Sequence, residues 1–346
     1  ESSSVSILAP LVKEFPSQFT LALYQTPMHQ MFRRFMKERL NEIAGVQHIK
    51  TYMFDDDLLI SGANMSTWYF IDRQDRYTLV KSSPSLVSYF TDLIDVMITF
   101  SFYLKPDGTT QKHKSIATKD PAANRNAYVK HCQALIVKMC GPHVQDSYPV
   151  SNNSDDDDED DAAKCDTWIF PTVQMGRFNL RHDESVTKYI MSESCMNPDI
   201  QVFLTTGYFN ITPRYSKILL KSKAKVSIVC ASPKANGFYG SKGISQWIPA
   251  TYSRLEEQFY TQLQKKKQSM VSISEYFRKT WTFHAKGMWV YTPTKKSSSS
   301  DDDDESLPFL TLIGSPNFGY RSINRDTEAQ ICILTENKAL QKQLDA

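Results

Sequence analysis

Two His-x-Lys pairs are the residues of this chain whose types and spacing suit catalytic chemistry. They are His48-Ile49-Lys50 and His284-Ala285-Lys286. Alternate side chains of an extended strand share a face, so each histidine points the same way as its lysine. An imidazole can attack phosphorus or protonate a leaving oxygen, and an ammonium group can bind phosphoryl oxygens. The two pairs therefore favour phosphoryl transfer, a reaction that requires no metal or cofactor here.

The residues that follow each pair are also repeated. The first copy continues to a segment 59–64 that ends in Asn64, and the second to a segment 312–317 that ends in Asn317. A carboxylate stands 11 residues beyond each asparagine, at Asp75 and Glu328. Lone His-x-Lys pairs are common, but two copies with the same downstream pattern are a strong signal. We expect Asp75 and Glu328 each to orient one imidazole through its second nitrogen.

Each copy predicts a β-hairpin with a definite register. A turn at residues 55–57 sets His48 opposite Asn64 and Lys50 opposite Gly62. Each hairpin would then present His, Lys and Asn on one face, where Lys and Asn bind the charged phosphoryl oxygens. The same register in the second copy pairs His284 with Asn317 and Lys286 with Ser315.

Composition limits the partners of the chain. The 346 residues are 41% hydrophobic, but even the apolar segment 86–104 is interrupted by Asp92 and Asp95, so any membrane contact is expected to be peripheral. Acidic runs at 155–161 and 301–305 hold 12 acidic residues, and the rest of the chain therefore carries a formal charge of +14. A basic body suits a phospholipid, a nucleotide or a nucleic acid, and composition does not choose among them.

The acidic segments also divide the chain. Residues 151–164 repel one another too strongly to pack and predict a disordered linker between a first half at 1–150 and a second half at 165–346. Residues 295–306 predict a disordered insertion in a hairpin of the second half.

The second half alternates predicted strands and helices, which favours an α/β fold built in layers. Strands are predicted at Gln201–Thr206, Lys225–Ala231 and Val271–Tyr276, and helices at 213–220 and 252–265. In the first half, one helix is predicted after Pro84 and another from Thr26-Pro27. The second of these has a basic side, which fits either a membrane-surface helix or a core-facing helix with a solvated side.

The pattern H-x-K-x4-D followed by a Gly/Ser-Asn segment, present twice, resembles the phospholipase D superfamily. His48, Lys50 and Asp55 match it fully. The stretches 48–77, 205–210, 232–243 and 280–337 are similar to eukaryotic phosphatidylglycerophosphate synthases. The resemblance implies a duplicated fold, in which two α-β-α layered halves with mixed sheets meet at a pseudo-twofold active site.

The resemblance also implies an activity and a location. The family is mitochondrial and moves a phosphatidyl group from CDP-diacylglycerol to glycerol 3-phosphate, releasing CMP. It implies His48 as the nucleophile that forms a phosphohistidine and His284 as the acid and then the base, with Lys50, Asp55 and Lys286 completing the catalytic set. It further implies peripheral contact with the anionic inner membrane on the matrix side, and no nucleic-acid partner.

The sequence departs from the superfamily pattern at two places. The second copy has Tyr291 where the motif Asp stands, and the first has Ser61-Gly62 in place of the Gly-Ser order. Asp55 is odd-numbered against even-numbered His48 and Lys50, so its side chain should leave the reactive face and be mainly structural. The Ser61-Gly62 order puts a direct role for a serine of the first copy in doubt.

The sequence also fits other functions. A cardiolipin synthase, a phosphatidylserine synthase, a hydrolytic phospholipase or a nuclease would share the paired motif, and a catalytically inactive lipid-binding scaffold is a further alternative. The loop 236–243 is either a phosphate- or cytidine-contacting loop or a simple turn, and Tyr208, Phe209 and Asn210 either border the pocket or pack in the core. Only 47 residues precede His48, so we expect a truncated first half, without a targeting peptide and with more chain after Ala346.

Overall fold

The computed structural model describes residues 4–28, 44–145, 165–292 and 306–345. The linker at 151–164 and nearly all of the insertion at 295–306 lie outside the described residues. So does the helix predicted from Thr26-Pro27, apart from residues 26–28, which are described and not helical. The described helices are α1 (Ser4–Glu14), α2 (Thr67–Ile71), α3 (Pro84–Thr99), α4 (Arg125–Gln145), α5 (His182–Met196), α6 (Pro213–Leu219), α7 (Ile248–Lys266), α8 (Tyr320–Asn324) and α9 (Lys338–Asp345). None of them combines the length and apolar character needed to span a bilayer.

The strands of the described residues fall in both halves of the chain. Those of the first half are β1 (Ala22–Leu23), β2 (Thr51–Phe54), β3 (Asp57–Ser61), β4 (Arg73–Gln74), β5 (Tyr77–Val80), β6 (Phe102–Leu104) and β7 (Thr110–Lys112). Those of the second half are β8 (Thr167–Met175), β9 (Leu180–Arg181), β10 (Gln201–Thr206), β11 (Lys225–Ala231), β12 (Val271–Tyr276), β13 (Thr282–Phe283), β14 (Gly287–Tyr291), β15 (Pro308–Gly314) and β16 (Thr327–Thr335).

An eight-stranded mixed sheet forms the centre of the second half, in the order β12-β11-β10-β14-β15-β16-β8-β9. The pairs β10-β11 and β11-β12 are parallel, and the remaining pairs are antiparallel. The predicted strands at β10, β11 and β12 are confirmed, and the two predicted helices are α6 and α7. Alternating burial along β10 places Val202 and Leu204 in the core, as the period of a strand requires. The α/β class is therefore confirmed.

The first half contributes a smaller antiparallel sheet, β2-β3-β5, together with α3 and α4. Apolar residues at helical spacing on α3, such as Phe90 and Leu93, are fully buried. Their core cluster also contains Ile313 and Ile331 from β15 and β16. The two halves therefore share part of one hydrophobic core.

Two short parallel pairings join the halves near the histidines. Gln47 forms an isolated parallel bridge with Thr327, and β13 pairs with β4. Each pairing sets the backbone that leads into a histidine beside the backbone that leads into a carboxylate of the other half. These contacts position the site.

The predicted hairpin registers are wrong by one residue. In the first hairpin Phe54 lies opposite Asp57, so the turn consists of Asp55 and Asp56 alone. Asp55 adopts a φ of +51°, a left-handed conformation that aspartate tolerates, and this allows the tighter turn. The Ser61 amide accordingly donates to the carbonyl oxygen of Lys50, so neither Gly62 faces Lys50 nor Asn64 faces His48 across the hairpin.

The second hairpin shows the same shift. Met288 lies opposite Leu312, and counting on in this register would set Gly314 opposite Lys286 and Pro316 opposite His284. Asn317 and Ser315 are therefore not the direct cross-strand neighbours of His284 and Lys286. A shift of one residue moves a side chain to the other face of the hairpin, so the predicted His–Asn pairs do not form. Asn64 and Asn317 lie beyond the ends of β3 and β15.

Candidate active site

His48 is held by the second half of the chain. Its backbone amide donates to the carbonyl oxygen of Thr327 at 2.9 Å, and its Nδ1 lies 2.7 Å from Glu328 Oε2. Glu328, on β16, is fully buried, whereas the His48 side chain is 19% exposed. With Nδ1 bound to the carboxylate, Nε2 is the nitrogen left for chemistry.

His284 is held by the first half in the same way. Its amide donates to the carbonyl oxygen of Gln74 at 2.8 Å, and its Nδ1 lies 2.7 Å from Asp75 Oδ2. His284 is buried far more deeply than His48, with 6% of its side chain exposed. The two halves thus exchange carboxylates, each orienting the other's imidazole.

The two lysines also repeat one arrangement. Lys50 Nζ donates to the His48 carbonyl oxygen at 2.6 Å, and Lys286 Nζ donates to the His284 carbonyl oxygen at 2.8 Å. Lys286 Nζ also lies 2.9 Å from His284 Nδ1. Nδ1 cannot accept from Lys286 while it donates to Asp75, so the ionisation of Asp75 decides the tautomer.

Charge settles this tautomer. Burial raises the pKa of Asp75, but the Lys286 ammonium and the hydrogen bond from His284 lower it by more. The pKa of Asp75 therefore falls below its ordinary value. An ionised Asp75 needs a donor, so His284 carries its proton on Nδ1 and presents the Nε2 lone pair. Burial raises the pKa of Glu328 as well, but its interaction with His48 and the charge of Lys50 leave it lowered.

Burial disfavours positive charge in the empty site. It lowers the pKa of Lys50 to about 7 and, together with the Lys286 charge, that of His284 to about 3. The pKa of Lys286 is lowered by burial too. Such groups regain their protons when an anion enters, because the anion replaces the solvation that burial removed. The cluster is therefore suited to bind phosphate.

Gly62 leaves space for the second-half lysine. A Cβ at this position would lie 2.7 Å from Lys286 Nζ and 2.8 Å from Asp75 Oδ1, closer than side chains approach one another. The Ser61-Gly62 order, which departs from the superfamily pattern, thus puts the residue without a side chain against Lys286. Ser61 itself is buried, and its hydroxyl donates to the Arg76 carbonyl oxygen.

Tyr69 is a site residue that the sequence did not reveal. Its hydroxyl lies 3.5 Å from His284 Nε2, and the two rings meet edge to face with centroids 5.1 Å apart. Asn64 donates to the same hydroxyl at 3.2 Å, so the first asparagine reaches the second histidine through Tyr69. The five-residue helix α2 carries Tyr69 and gave no periodic signal long enough to predict it.

Arg73 is a second residue that the sequence did not reveal. Its Nε donates to Thr282 Oγ1 at 2.9 Å, and its guanidinium carbon lies 4.3 Å from the centre of the Tyr69 ring. Neither contact neutralises its charge. Arg73 therefore brings a cation to the edge of the site on the His284 side.

The loop 236–243 begins at the same edge. A Cβ on Gly237 would lie 3.3 Å from the Tyr208 hydroxyl and 3.5 Å from Arg73 Nη2. The Tyr208 ring lies edge to face with His284, with centroids 5.8 Å apart, so this tyrosine borders the site. Phe209 instead packs in the core against Phe259. The two predicted alternatives thus apply to different residues of one segment.

The remaining predicted residues have contacts with groups other than the histidines. Asp55 is exposed in the hairpin turn, about 16 Å along the strand from Lys50 at roughly 3.3 Å per residue. Tyr291 donates to Asp345 Oδ1 at 2.7 Å. Ser315 is buried and exchanges hydrogen bonds with the backbone of Ala329, next to Glu328. The Asn317 side chain accepts from Thr206 Oγ1 at 3.4 Å.

One group of side chains in the described ranges has the ligand types of a metal site. It consists of His48, Asp326 and Glu328, whose ligand atoms lie within 4.8 Å of one another. These atoms already serve other bonds, since Asp326 accepts from the Val46 amide and pairs with Arg321, while Glu328 holds His48. We assign no metal to this group.

The chain is similar in sequence to known phosphatidyltransferases. No family profile matches the chain. It is 39% identical, over its whole length, to a probable CDP-diacylglycerol–glycerol-3-phosphate 3-phosphatidyltransferase of Dictyostelium discoideum, and 40% identical, over 99% of its length, to the mitochondrial enzyme of that name from Homo sapiens. The chain spans 58% and 62% of these two relatives.

A solved structure shows the fold. Phosphatidylserine synthase of Haemophilus influenzae superimposes with a TM-score of 0.63 over 88% of this chain and 61% of that protein, at 20% sequence identity. At this identity the likeness concerns the fold alone. It agrees with the α/β fold class that the sequence predicted.

Proposed function

Because the chain belongs to the family of CDP-diacylglycerol–glycerol-3-phosphate 3-phosphatidyltransferases, we propose that it transfers the phosphatidyl group of CDP-diacylglycerol to sn-glycerol 3-phosphate. The products are phosphatidylglycerophosphate and CMP. The observation that carries the proposal is the crossed pair of contacts His48–Glu328 and His284–Asp75, each 2.7 Å long, beside two buried lysines. This arrangement supplies two oriented imidazoles and two cations for one phosphoryl group.

In the first step, Nε2 of His48 attacks the phosphorus that carries the diacylglycerol. The bond from this phosphorus to the oxygen of CMP breaks, and His284 donates a proton to the departing group. His48 is the more accessible imidazole, and Glu328 stabilises the positive charge that it gains. His284 is neutral in the empty site, and the negative diphosphate raises its pKa on binding, when an acid is needed.

In the second step, a hydroxyl group of glycerol 3-phosphate attacks the phosphohistidine. His284 accepts the hydroxyl proton as the P–N bond to His48 breaks. Lys50 and Lys286 bind the phosphoryl oxygens in both steps, where negative charge accumulates. Asp55 has no direct part in this scheme, because the turn that contains it lies at the far end of the strand from Lys50.

Arg73 supports an acceptor that bears a phosphate. Its charge stands one tyrosine ring away from His284, next to Gly237. In glycerol 3-phosphate, a three-carbon backbone separates the attacking hydroxyl from the phosphate, so this group must bind beside the base and not on it. A guanidinium is well suited to such a phosphate.

The cellular setting is part of the proposal. Relatives from Homo sapiens and Gallus gallus are named mitochondrial, and the substrate is a membrane lipid. These names support a mitochondrial location, and we further propose that the protein is peripheral to the anionic inner membrane on the matrix side, with no nucleic-acid partner.

The test is CMP release by the full-length protein from CDP-diacylglycerol, with glycerol 3-phosphate, phosphatidylglycerol, serine or water as the only acceptor. We expect CMP release only when glycerol 3-phosphate is the acceptor. Faster release with another acceptor would instead identify a cardiolipin synthase, a phosphatidylserine synthase or a phospholipase. No release with any acceptor would leave a lipid-binding scaffold.

Labelled substrate in a quenched reaction identifies the nucleophile. We expect the phosphatidyl group on His48, and a His48→Ala variant should lose the label. Lys114→Ala, which truncates an exposed lysine, should keep it. Label on His284 would exchange the roles of the two histidines.

A further inference from the structure

Helix α2 is apolar on the side that faces away from the protein. Its Trp68, Phe70 and Ile71 are 64%, 65% and 62% exposed, and Met65, just before the helix, is 75% exposed. Tyr69 alone among the aromatic residues of the helix is buried. At about 100° per residue, positions 68, 70 and 71 occupy the arc opposite Tyr69, so one turn of helix is divided into an inner tyrosine and an apolar outer side.

Single exposed apolar residues are common on protein surfaces, but a contiguous group of four large ones within seven residues is not. We call Met65, Trp68, Phe70 and Ile71 the α2 patch. Each of these side chains would be more stable out of water. Their grouping at the surface indicates a site that contacts a nonpolar partner.

Basic residues lie beside the α2 patch. The backbone amide of Thr282 donates to the Asp72 carbonyl oxygen, which brings the turn between β12 and β13 next to the end of α2. In this turn Phe277 is 60% exposed, and Arg278 and Lys279 are exposed as well. Two acidic residues lie near this junction: Asp72, which is partly buried, and Glu275, which is exposed on β12. Aromatic residues beside exposed cations are typical of surfaces that insert into the headgroup region of an anionic bilayer.

The α2 patch is also joined to the reactive centre. Tyr69, on the inner side of the same helical turn, touches His284. The distance from a docked bilayer to His284 would therefore be about one helix diameter, roughly 10–12 Å. A lipid whose acyl chains stay in the bilayer can then extend its diphosphate to the histidines.

From these observations we propose that the α2 patch, with Phe277, Arg278 and Lys279, is the surface by which the protein docks on an anionic phospholipid bilayer. This inference rests on the proposed function, because the lipid nature of the substrate selects a bilayer over a protein partner. Docking orients the mouth of the site towards the lipid headgroups.

The test measures vesicle binding by the full chain and needs no turnover. Flotation with phosphatidylcholine vesicles, with and without phosphatidylglycerol, compares the wild type with a Trp68→Ser/Ile71→Ser double variant. Each large apolar side chain withdrawn from the bilayer is worth at least about tenfold in partitioning, so the double variant should bind about 100-fold more weakly. Tyr189→Ser, which removes a 68% exposed aromatic residue from α5, is the matched control and should bind normally.

A second measurement locates the contact. Tryptophan fluorescence should be quenched by lipids that carry bromine on their acyl chains. Trp68→Phe keeps an apolar side chain, so it should bind vesicles as the wild type does while losing this quenching. Arg278→Gln/Lys279→Gln should weaken binding only to vesicles that contain phosphatidylglycerol.

Three outcomes would overturn the proposal. One is unchanged vesicle binding by the double variant, and another is quenching that persists in Trp68→Phe. The third is a wild type that self-associates through the patch, seen as a dimer that the double variant converts to a monomer without change in vesicle binding. Turnover of detergent-dispersed CDP-diacylglycerol should be retained by the double variant, which separates loss of docking from failure of the proposed enzyme activity.

Discussion

Glu328 accepts a hydrogen bond from His48 at 2.7 Å although 280 residues separate them in the chain. The reciprocal contact joins Asp75 and His284, 209 residues apart. Neither half of the protein therefore contains a complete imidazole–carboxylate pair of its own. The site exists only when the halves are docked, and this relationship makes the following predictions specific.

Loss of either carboxylate should disable the opposite histidine. In Asp75→Asn and Glu328→Gln an amide replaces the acceptor, so the imidazole can adopt the wrong tautomer, and kcat should fall by about 10³–10⁴-fold. The measurement is steady-state CMP release, with the exposed Asp107→Asn as control. Proton NMR checks the crossed assignment, since Asp75→Asn should remove the downfield Nδ1–H signal of His284 and leave that of His48. Loss of the His48 signal in Asp75→Asn would contradict it.

The charge of Lys50 should limit activity at alkaline pH. Its pKa in the free protein is about 7 because of burial, so the ammonium form that binds phosphate is lost as pH rises through 7, and kcat/KM should fall above this pH. Bound substrate raises this pKa, so the decline in kcat should begin at higher pH. Lys50→Ala should lose about 10²–10³-fold in kcat/KM, and its kcat/KM should not show this fall above pH 7. Lys130→Ala, on the exposed side of α4, should behave as the wild type. If the fall of kcat/KM above pH 7 were unchanged in Lys50→Ala, Lys50 could not be its source.

A methyl group at position 62 should act on the second lysine. Gly62→Ala places a carbon 2.7 Å from Lys286 Nζ, and the lysine must move away from His284. We expect a stability loss of about 1–3 kcal/mol, typical of overpacking, and a fall in kcat/KM of at least about tenfold. Denaturant unfolding and kinetics measure the two effects. Gly141→Ala, whose added carbon meets open space beyond the backbone of its own helix, is the control and should change neither quantity adversely.

Asp55 should matter less than its place in the superfamily motif suggests. It lies exposed in the turn at φ +51°, a conformation that asparagine adopts as readily as aspartate. Asp55→Asn should therefore change the free energy of unfolding by no more than about 0.5 kcal/mol and leave kcat unaltered. This revises the sequence-based expectation of a mainly structural carboxylate. Asp55→Val, whose branched side chain resists positive φ, should cost about 1–2 kcal/mol. A stable but inactive Asp55→Asn protein would show that the carboxylate acts in the chemistry.

Arg73 should affect the acceptor and not the donor. Arg73→Gln removes the charge near His284 and should raise the KM for glycerol 3-phosphate by about 10–100-fold, with a much smaller change in the KM for CDP-diacylglycerol. Arg73→Lys should restore part of the loss, which a purely structural role through Thr282 would not predict. An increase confined to the KM for CDP-diacylglycerol would assign Arg73 to the donor instead.

Residue types and their spacing predicted the candidate site residues and much of the second-half sheet. Alternation of side chains along a strand is local, so β10, β11 and β12 were predicted at their observed bounds. The repeated spacing likewise singled out Asp75 and Glu328 as carboxylates near the histidines. Both inferences rest on periodicity within a short segment.

The assignment of each carboxylate to its histidine came from the three-dimensional structure. That choice depends on the parallel pairings of Gln47 with Thr327 and of β13 with β4, which join segments far apart in the chain. The hairpin registers changed with one left-handed residue in a turn. The lowered pKa of Lys50 and the places of Tyr69 and Arg73 likewise follow from packing. Burial and long-range contact are properties of the folded chain as a whole, and no local pattern encodes them.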